Sequence, residues 1–211
     1  SNWITPGAVA NGVACLPALI SEIDLYGNGI EIIKGDMFPS LADNTDYGNV
    51  FECTTANSSF LIVNNGAANL ILTSVNISGP QAAHFSIGTS PATVILPGDS
   101  SLMVITYDPP MLGLSHAMIT INSNDCNEPT YTFAITANAI ADTQPPVAIC
   151  DSITTIYLDA SGQFTLSQDT LDNGSNDACG IANFSVSPAT FVCGNVGTNG
   201  ATLTVTDNNG N

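Results

Sequence analysis

Positive charge is nearly missing from this chain. Among 211 residues Lys34 is the only lysine or arginine, against 18 aspartates and glutamates, for a formal net charge of −17. Such a surface repels phosphates, which excludes nucleic acid as a partner, and it disfavours an anionic membrane face for the same reason. It is compatible with divalent cations. The scarcity of Lys and Arg also removes the cleavage sites of trypsin-like proteases, which suits a durable exterior protein. No run of 18 apolar residues occurs, so no helix is expected to cross a bilayer and no membrane insertion is expected. The opening "SNWITPGAVANG" has no basic n-region and does not read as a signal peptide. If the protein is secreted, its leader is expected to be already gone.

Histidine and aromatic residues are scarce too. His84 and His116 stand alone, with no Gly-x-Ser-x-Gly elbow or Cys–His arrangement around them. With 7% aromatics and a single tryptophan, Trp3, no aromatic sugar cleft is expected. Carboxylate pairs such as Asp43 and Asp46 therefore lack the setting of a glycosidase. The reading is of a protein that is not an enzyme. The six cysteines, at 15, 53, 126, 150, 179 and 193, form no Cys-x-x-Cys, and no histidine lies at ligand spacing from them, so zinc is not expected. An even set without metal spacing reads as disulfides in an oxidising compartment, secreted or at the cell surface.

What is present is a pattern of short strands. The chain is 44% apolar, enough to bury ordinary cores, whereas disordered acidic segments lack Val, Ile and Phe. Helical periodicity is almost absent. Alternating or β-branched runs recur instead: "EIDLYGNGIEI" (22–32), "SSFLIVNN" (58–65), "LILTSVNI" (70–77), "TVIL" (93–96), "SLMVITYD" (101–108), "AMITINS" (117–123) and "YTFAITA" (131–137). Turn clusters such as Asn64-Asn65-Gly66 and Pro97-Gly98-Asp99 separate them. Seven short strands with turns about every ten residues describe an antiparallel sandwich. "ADTQPPVAIC" (141–150) then marks a domain boundary with a short linker, because two prolines break any strand and stiffen the path. Beyond it, "TTIYLD", "QFTLSQ", "IANFSVS", "TFVC" and "ATLTVTD" read as a second, smaller sandwich, one strand short. The fold class is all-β: two tandem immunoglobulin-like antiparallel β-sandwiches over 21–140 and 141–211, the second lacking its last strand, behind an extended segment 1–20.

Residues 22–139 resemble the ASPM/SPD-2/Hydin immunoglobulin-like family, close to bacterial choice-of-anchor D repeats. The stretches that carry this are "EIDLYGNGIEIIKGD", "TDYGNV", "FLIVNNGAANLILTSVNISGPQAAHFSI", "ILPGDSSLMVITYDPPMLGLSHAMITINSND" and "YTFAITANA". Cys53 and Cys126 replace less special residues of that pattern, and a disulfide between them is expected. The second domain resembles the hyalin-repeat (HYR-like) modules of secreted Bacteroidetes surface and adhesin proteins, through "PPVAIC", "YLDASGQFTLSQDTLDNGSNDACGI" and "TFVCGNVGTNGATLTVTDNNGN". That resemblance implies a Cys179–Cys193 bridge. It also implies a further strand after "DNNGN", whose cysteine would bond Cys150, and this chain lacks it.

The sharpest chemical constellation is acidic. In immunoglobulin-like topology the chain entering the second sandwich and its loops "DTLDNGSNDACG" and "DNNGN" gather at one pole. Asp142, Asp172, Asp177 and Asp207, with Asn173 and Asn209, are then candidate ligands for a calcium ion between the domains, which needs six to eight oxygens. The competing reading is that Asp, Asn and Gly simply form turns. Asp151-Ser152-Ile153 and Asp169-Thr170-Leu171 resemble short O-glycosylation sites of Bacteroidetes, which makes Ser152 and Thr170 candidate glycan acceptors.

The functional expectation is an extracellular structural or adhesive module of a bacterial surface protein or filament. Its expected partners are other copies of itself, neighbouring surface modules or surface glycans. The alternative is a carbohydrate- or ligand-binding accessory module of a secreted multidomain enzyme. "ATLTVTDNNGN" alternates as a strand, Leu203 and Val205 facing in, and then turns with no partner to follow. An open sandwich edge leaves N–H and C=O groups unpaired. Residues 8–20 of a neighbouring copy, with "ANGVACLPALI", are expected to fill it by strand donation, locked by a Cys15–Cys150 bridge into a head-to-tail filament. The other expectation is truncation, the real last strand lying beyond Asn211.

Overall fold

The structure, a computed structural model, describes residues 20–151 and 155–211; Trp3, Cys15 and Ser152 fall outside them. The chain divides into two compact units, Ser1–Ile140 and Ala141–Asn211. It is nearly all β, and the alternation read from the sequence is the cause. In a strand, successive side chains point to opposite faces, so an alternating run buries one set and solvates the other.

The first unit holds β1 (Ile23–Gly27), β2 (Ile30–Glu31), β3 (Asp46–Phe51), β4 (Ala56–Asn64), β5 (Leu70–Ser78), β6 (Phe85–Thr89), β7 (Val94–Ile95), β8 (Ser100–Tyr107), β9 (Gly113–Ser123) and β10 (Thr130–Ile140). Two five-stranded sheets result, ordered β2-β1-β4-β8-β6 and β3-β10-β9-β5-β7. Pairing is antiparallel except where β3 runs parallel to β10. The hairpin between β1 and β2 turns at Asn28 and Gly29, both at positive φ (49° and 75°), as a tight two-residue connection requires. Gly27 just before it has no alternative residue: a Cβ there would sit 1.7 Å from the Asp43 carbonyl oxygen.

The core lies between the sheets. Ile23, Leu25, Phe60, Ile62 and Met103 from one face meet Ile119, Ile121, Phe133 and Ile135 from the other, all fully buried. Phe60 and Phe133 pack across the gap with ring centroids 5.2 Å apart. Each such side chain contributes about 1.5–3 kcal/mol by leaving water. β3 and β6 were not among the seven runs. Each keeps a single well-buried apolar residue, Val50 in β3 and Phe85 in β6, and β3 is interrupted by Gly48 at positive φ, so neither shows a period of two.

The second unit is smaller: β11 (Gln163–Thr165) pairs with β13 (Thr190–Val192), and β12 (Ile181–Ser187) with β14 (Thr202–Asp207). A helical turn, α1 (Gln168–Leu171), follows β11, where a longer strand was expected. "TTIYLD" forms no strand over its described residues, although Ile156 and Leu158 still pack on the core. That core is three buried side chains, Leu166, Leu171 and Phe191, against twenty-one in the first unit, which leaves it far less apolar burial to stabilise it. The segment read as a linker is part of this unit. Val147 and Asn176 exchange two backbone hydrogen bonds, and Cys150 forms a bridge with Asp172. Prolines 145 and 146 precede these bonds and so do not interrupt them.

Candidate functional site

The six candidate calcium ligands do not converge as a set. Asp142, at the start of the second unit, is 4% exposed. Its Oδ1 accepts the Gln144 amide at 2.9 Å, while its Oδ2 is buried and has no hydrogen-bond partner. The Asp177 carboxylate and the Cys179 sulfur lie with it, their ligand atoms all within 4.8 Å of one another. Asp177 Oδ1 accepts the Cys179 amide at 2.7 Å. The two bridges at Val147 and Cys150 place Asp172 roughly 10 Å further along the segment, out of this group. There the Ser175 side chain, first among its contacts, holds the Asp172 carboxyl below the ordinary value against the effect of burial. Asn173 is exposed and donates its amide to the Ile149 carbonyl.

Asp207 serves a turn. Burial pushes its carboxyl up, but the Asn211 side chain and the amides of Asn211, Asn209 and Gly210 outweigh this and bring it below the usual range. Oδ1 accepts from the Asn209 and Asn211 amides at 2.9 and 2.7 Å. The Asn211 side chain also reaches the Asp142 carbonyl at 3.2 Å, which ties this turn to the start of the unit. Asn209 enters the arrangement through its backbone amide. Asp172 and Asp207 each accept two local amides, while Asp142 and Asp177 accept one each.

A second acidic group was not visible in the sequence: Glu22, Asp125 and Glu128. Glu22 lies more than a hundred residues from Asp125 and Glu128 in the chain, so no local spacing joins it to them. Here Asp125 has donors on both carboxylate oxygens. Asp125 Oδ2 accepts the Ile23 amide at 2.8 Å, and its Oδ1 accepts the Asn127 and Glu128 amides. Lys34 reaches Glu128 at 3.9 Å. Burial, and then Asp125, push the Glu22 carboxyl up; burial also raises Glu128, partly offset by Lys34.

Both histidines are committed to the fold. His84 Nδ1 lies 2.8 Å from Ser115 Oγ, and His116 Nδ1 lies 3.0 Å from Thr136 Oγ1. The Ser–His contact looks like a nucleophile and base, yet Ser115 is 1% exposed and also bonded to the Tyr107 hydroxyl at 3.1 Å. No substrate reaches it. Asp43 and Asp46 accept backbone amides two residues on, as turn aspartates do.

The cysteines depart from expectation. Cys53, Cys126 and Cys179 are disulfide-bonded, while Cys150 and Cys193 are free and exposed. The implied Cys179–Cys193 bridge is therefore corrected: the Cys193 sulfur points to the Gly162 carbonyl at 3.8 Å instead. Nor do Cys53 and Cys126 pair. Cys53 follows Glu52, whose amide binds the carbonyl of Ile140 at one end of β10, and Cys126 sits in the hairpin before Thr130 at the other. Eleven residues of strand separate those ends by about 33 Å, against the ~6 Å a disulfide permits. The expected Cys15–Cys150 bridge involves a residue outside the described ones. Of the candidate glycan acceptors, Ser152 is also outside them, and Thr170 is half-buried in α1 with its hydroxyl 3.2 Å from that of Ser167.

The second unit contains a cleft of about 280 Å³, walled by Ile156, Leu158, Leu166, Leu171 and Phe191 and edged by Asp151. Its apolar walls are the unit's own core residues, so the core is open on this side. No helix among the described residues is long and apolar enough to cross a membrane.

Residues 40–139 match the family model of the HYDIN/CFA65/VesB-like Ig-like domain, and this stretch is an immunoglobulin-like domain. Among solved structures, a protein of unknown function from Porphyromonas gingivalis is similar at 24% identity and a TM-score of 0.44, over 59% of this chain and 49% of that one. The VesB protease of Vibrio cholerae is similar at 18% identity and a TM-score of 0.38, over 44% of this chain and 29% of that one. The PapD-like domain 7 of human CEP192 is similar at 14% identity and a TM-score of 0.36, over 67% of this chain and 99% of that one. The match thus spans about half the length of the first of these proteins and less of the second. A comparison with curated proteins gives no match.

Proposed function

We propose that the chain is a structural and adhesive module of an extracellular surface protein, whose second unit receives an extended apolar strand from another copy. The open cleft carries this reading. It presents apolar side chains such as Leu158, Leu166 and Phe191 beside Asp151, Asn195 and Asn199, and β11 and β13 of the same unit are only three residues long, so an added strand would gain both burial and backbone partners. The occupant is residues 10–20 of a neighbouring copy, "ANGVACLPALI", which is apolar, uncharged and free of helical periodicity. Its charge neutrality matters, because any acidic segment would be repelled by a unit that has aspartates and no Lys or Arg. Disulfides at Cys53, Cys126 and Cys179 suit an oxidising, extracellular setting. The histidines, each bonded to a strand hydroxyl, support a role without catalysis.

The test is mass under native conditions. Light scattering on the purified chain should give concentration-dependent head-to-tail multimers. Deleting residues 1–20 or changing Leu158→Asp should return monomers. A full-length chain that stays monomeric at every concentration overturns the strand-donation reading.

A second reading has one observation in its favour: the family matched by residues 40–139 takes part of its name from VesB, a protease. On this reading the chain is an accessory module of a secreted enzyme. Among the described residues, Phe38 and Tyr157 are the strongly exposed aromatics, at 87% and 81%, one in each unit, which makes no sugar-stacking row. Binding of a glycan array by the isolated chain would favour this second reading over the first.

A further inference from the structure

We propose that Asp142 and Asp177 of the second unit hold a calcium ion. The site stands apart from the cleft and from the strand-receiving role, and either can fail without the other. The carrying observation is the Asp142 Oδ2 atom, which is buried without a hydrogen-bond partner in a residue only 4% exposed. A carboxylate oxygen withdrawn from water needs a donor or a cation, since an unsatisfied charge is among the costliest things a protein buries. Its neighbour within 4.8 Å is another carboxylate, that of Asp177, which adds repulsion rather than relief.

The protein offers no counter-charge here. Residues 141–211 contain seven aspartates and no lysine, arginine or histidine. Lys34, the one basic side chain of the whole protein, is engaged with Glu128 and the Asn127 carbonyl in the first unit. The comparison with Glu22, Asp125 and Glu128 is instructive. That group has amide donors on both oxygens of Asp125 and a lysine beside Glu128. The Asp142–Asp177 pair has one amide on Asp142 Oδ1, one on Asp177 Oδ1, and nothing on Asp142 Oδ2.

The donor set selects the metal. The third member of the group, the Cys179 sulfur, is tied up in a disulfide and is not a thiolate, which removes the soft ligand that zinc or copper would seek. Two carboxylates on irregular backbone, with water filling the remaining positions, suit the flexible shell of calcium better than the strict octahedron of magnesium. The turn held by Asp207 braces the site, because its Asn211 side chain binds the Asp142 carbonyl and its Asn208 side chain binds the Cys179 carbonyl at 2.7 Å.

The experiment uses the full chain, stripped with chelator. Titration calorimetry with calcium chloride should show one site, and scanning calorimetry should show the second unit's transition rising by roughly 5 °C or more at calcium about tenfold above its Kd. Asp142→Asn and Asp177→Asn should each abolish or sharply weaken both responses, and Asp172→Asn should keep them. Two variants are used so that a folding defect in one leaves the other to decide. No heat and no change in melting up to about 10 mM calcium overturns the proposal. So does an equal response in wild type, Asp142→Asn and Asp177→Asn, which would mean diffuse counter-ion binding.

Discussion

Asp125 Oδ2 accepts the backbone amide of Ile23 at 2.8 Å across 102 residues of sequence. The bond joins the first strand of the sandwich to the loop between β9 and β10, and Asp125 is 1% exposed while making it. Replacement by alanine strands three buried or half-buried amides at once, those of Ile23, Asn127 and Glu128. Asp125→Ala should lower the stability of the first unit by about 2–3 kcal/mol. Urea denaturation followed by tyrosine fluorescence measures this, and a loss under about 0.5 kcal/mol would show that water satisfies those amides instead.

Asn64 is another polar residue built into the first unit's interior, at 0% exposure. Its Nδ2 donates to the carbonyls of Ala68 and Ile95 at 2.8 and 2.9 Å, and its Oδ1 accepts the Gly66 amide at 3.0 Å. Leucine has a similar volume but none of these bonds. Asn64→Leu should therefore destabilise by about 2 kcal/mol or more, in spite of its greater hydrophobicity. Thermal melts of the two chains give the comparison; equal melting temperatures would mean the loop from Asn65 to Asn69 closes without this residue.

Thiol chemistry checks the cysteine assignments directly. Cys150 and Cys193 are exposed and free, so both should react with maleimide in the native monomer within minutes. Cys53, Cys126 and Cys179 should react only after reduction. Peptide mapping that finds Cys193 protected along with Cys179 until reduction would overturn the assignment and restore the pairing expected from sequence.

The contrast between what sequence reading reached and what it missed has a physical basis. Residues whose neighbours in space are neighbours in sequence were legible: the alternation of β10 buries Tyr131, Phe133, Ile135, Ala137 and Ala139 in turn, and the period of two announces it. β3 and β6 were hidden because each keeps one well-buried apolar residue, so no alternation exists to read. Disulfides were the poorest guess. The Cys53–Cys126 pairing assumed that two loops of one sandwich meet, whereas register puts them at opposite ends of its longest strands. In the acidic set, residue type gave six candidates, but only the bridges of Val147 with Asn176 and Cys150 with Asp172 could separate Asp142 and Asp177 from the rest. Turn aspartates and buried ones look alike in sequence, since burial is a property of the whole fold.

Acid should affect the two units differently, and the signs follow from their carboxylates. In the second unit Asp207 lies below its ordinary value of 3.8, burial being outweighed by Asn211 and neighbouring amides. Asp172 and Asp159 are lowered as well, chiefly by the side chains of Ser175 and Ser161. A carboxyl depressed in the folded state adds stability above its unfolded pKa and loses it as pH falls through the folded one. The second unit should thus weaken steadily below about pH 4. In the first unit Glu22 and Glu128 are raised above 4.5, mainly by burial. A raised carboxyl works in the opposite sense: its ionisation costs stability as pH climbs past the unfolded value, and acid relieves the cost. Scanning calorimetry from pH 7 to pH 3 in chelator should therefore show the second unit's transition falling below pH 4 while the first unit's stays level or rises slightly between about pH 6 and 4. Asp207→Asn should flatten the acid limb of the second unit alone, and Glu22→Gln should raise the first unit's melting at pH 7 and remove its gain on acidification. Parallel decline of both transitions, unchanged by either substitution, would place the acid response in the net charge of the chain rather than in these carboxylates.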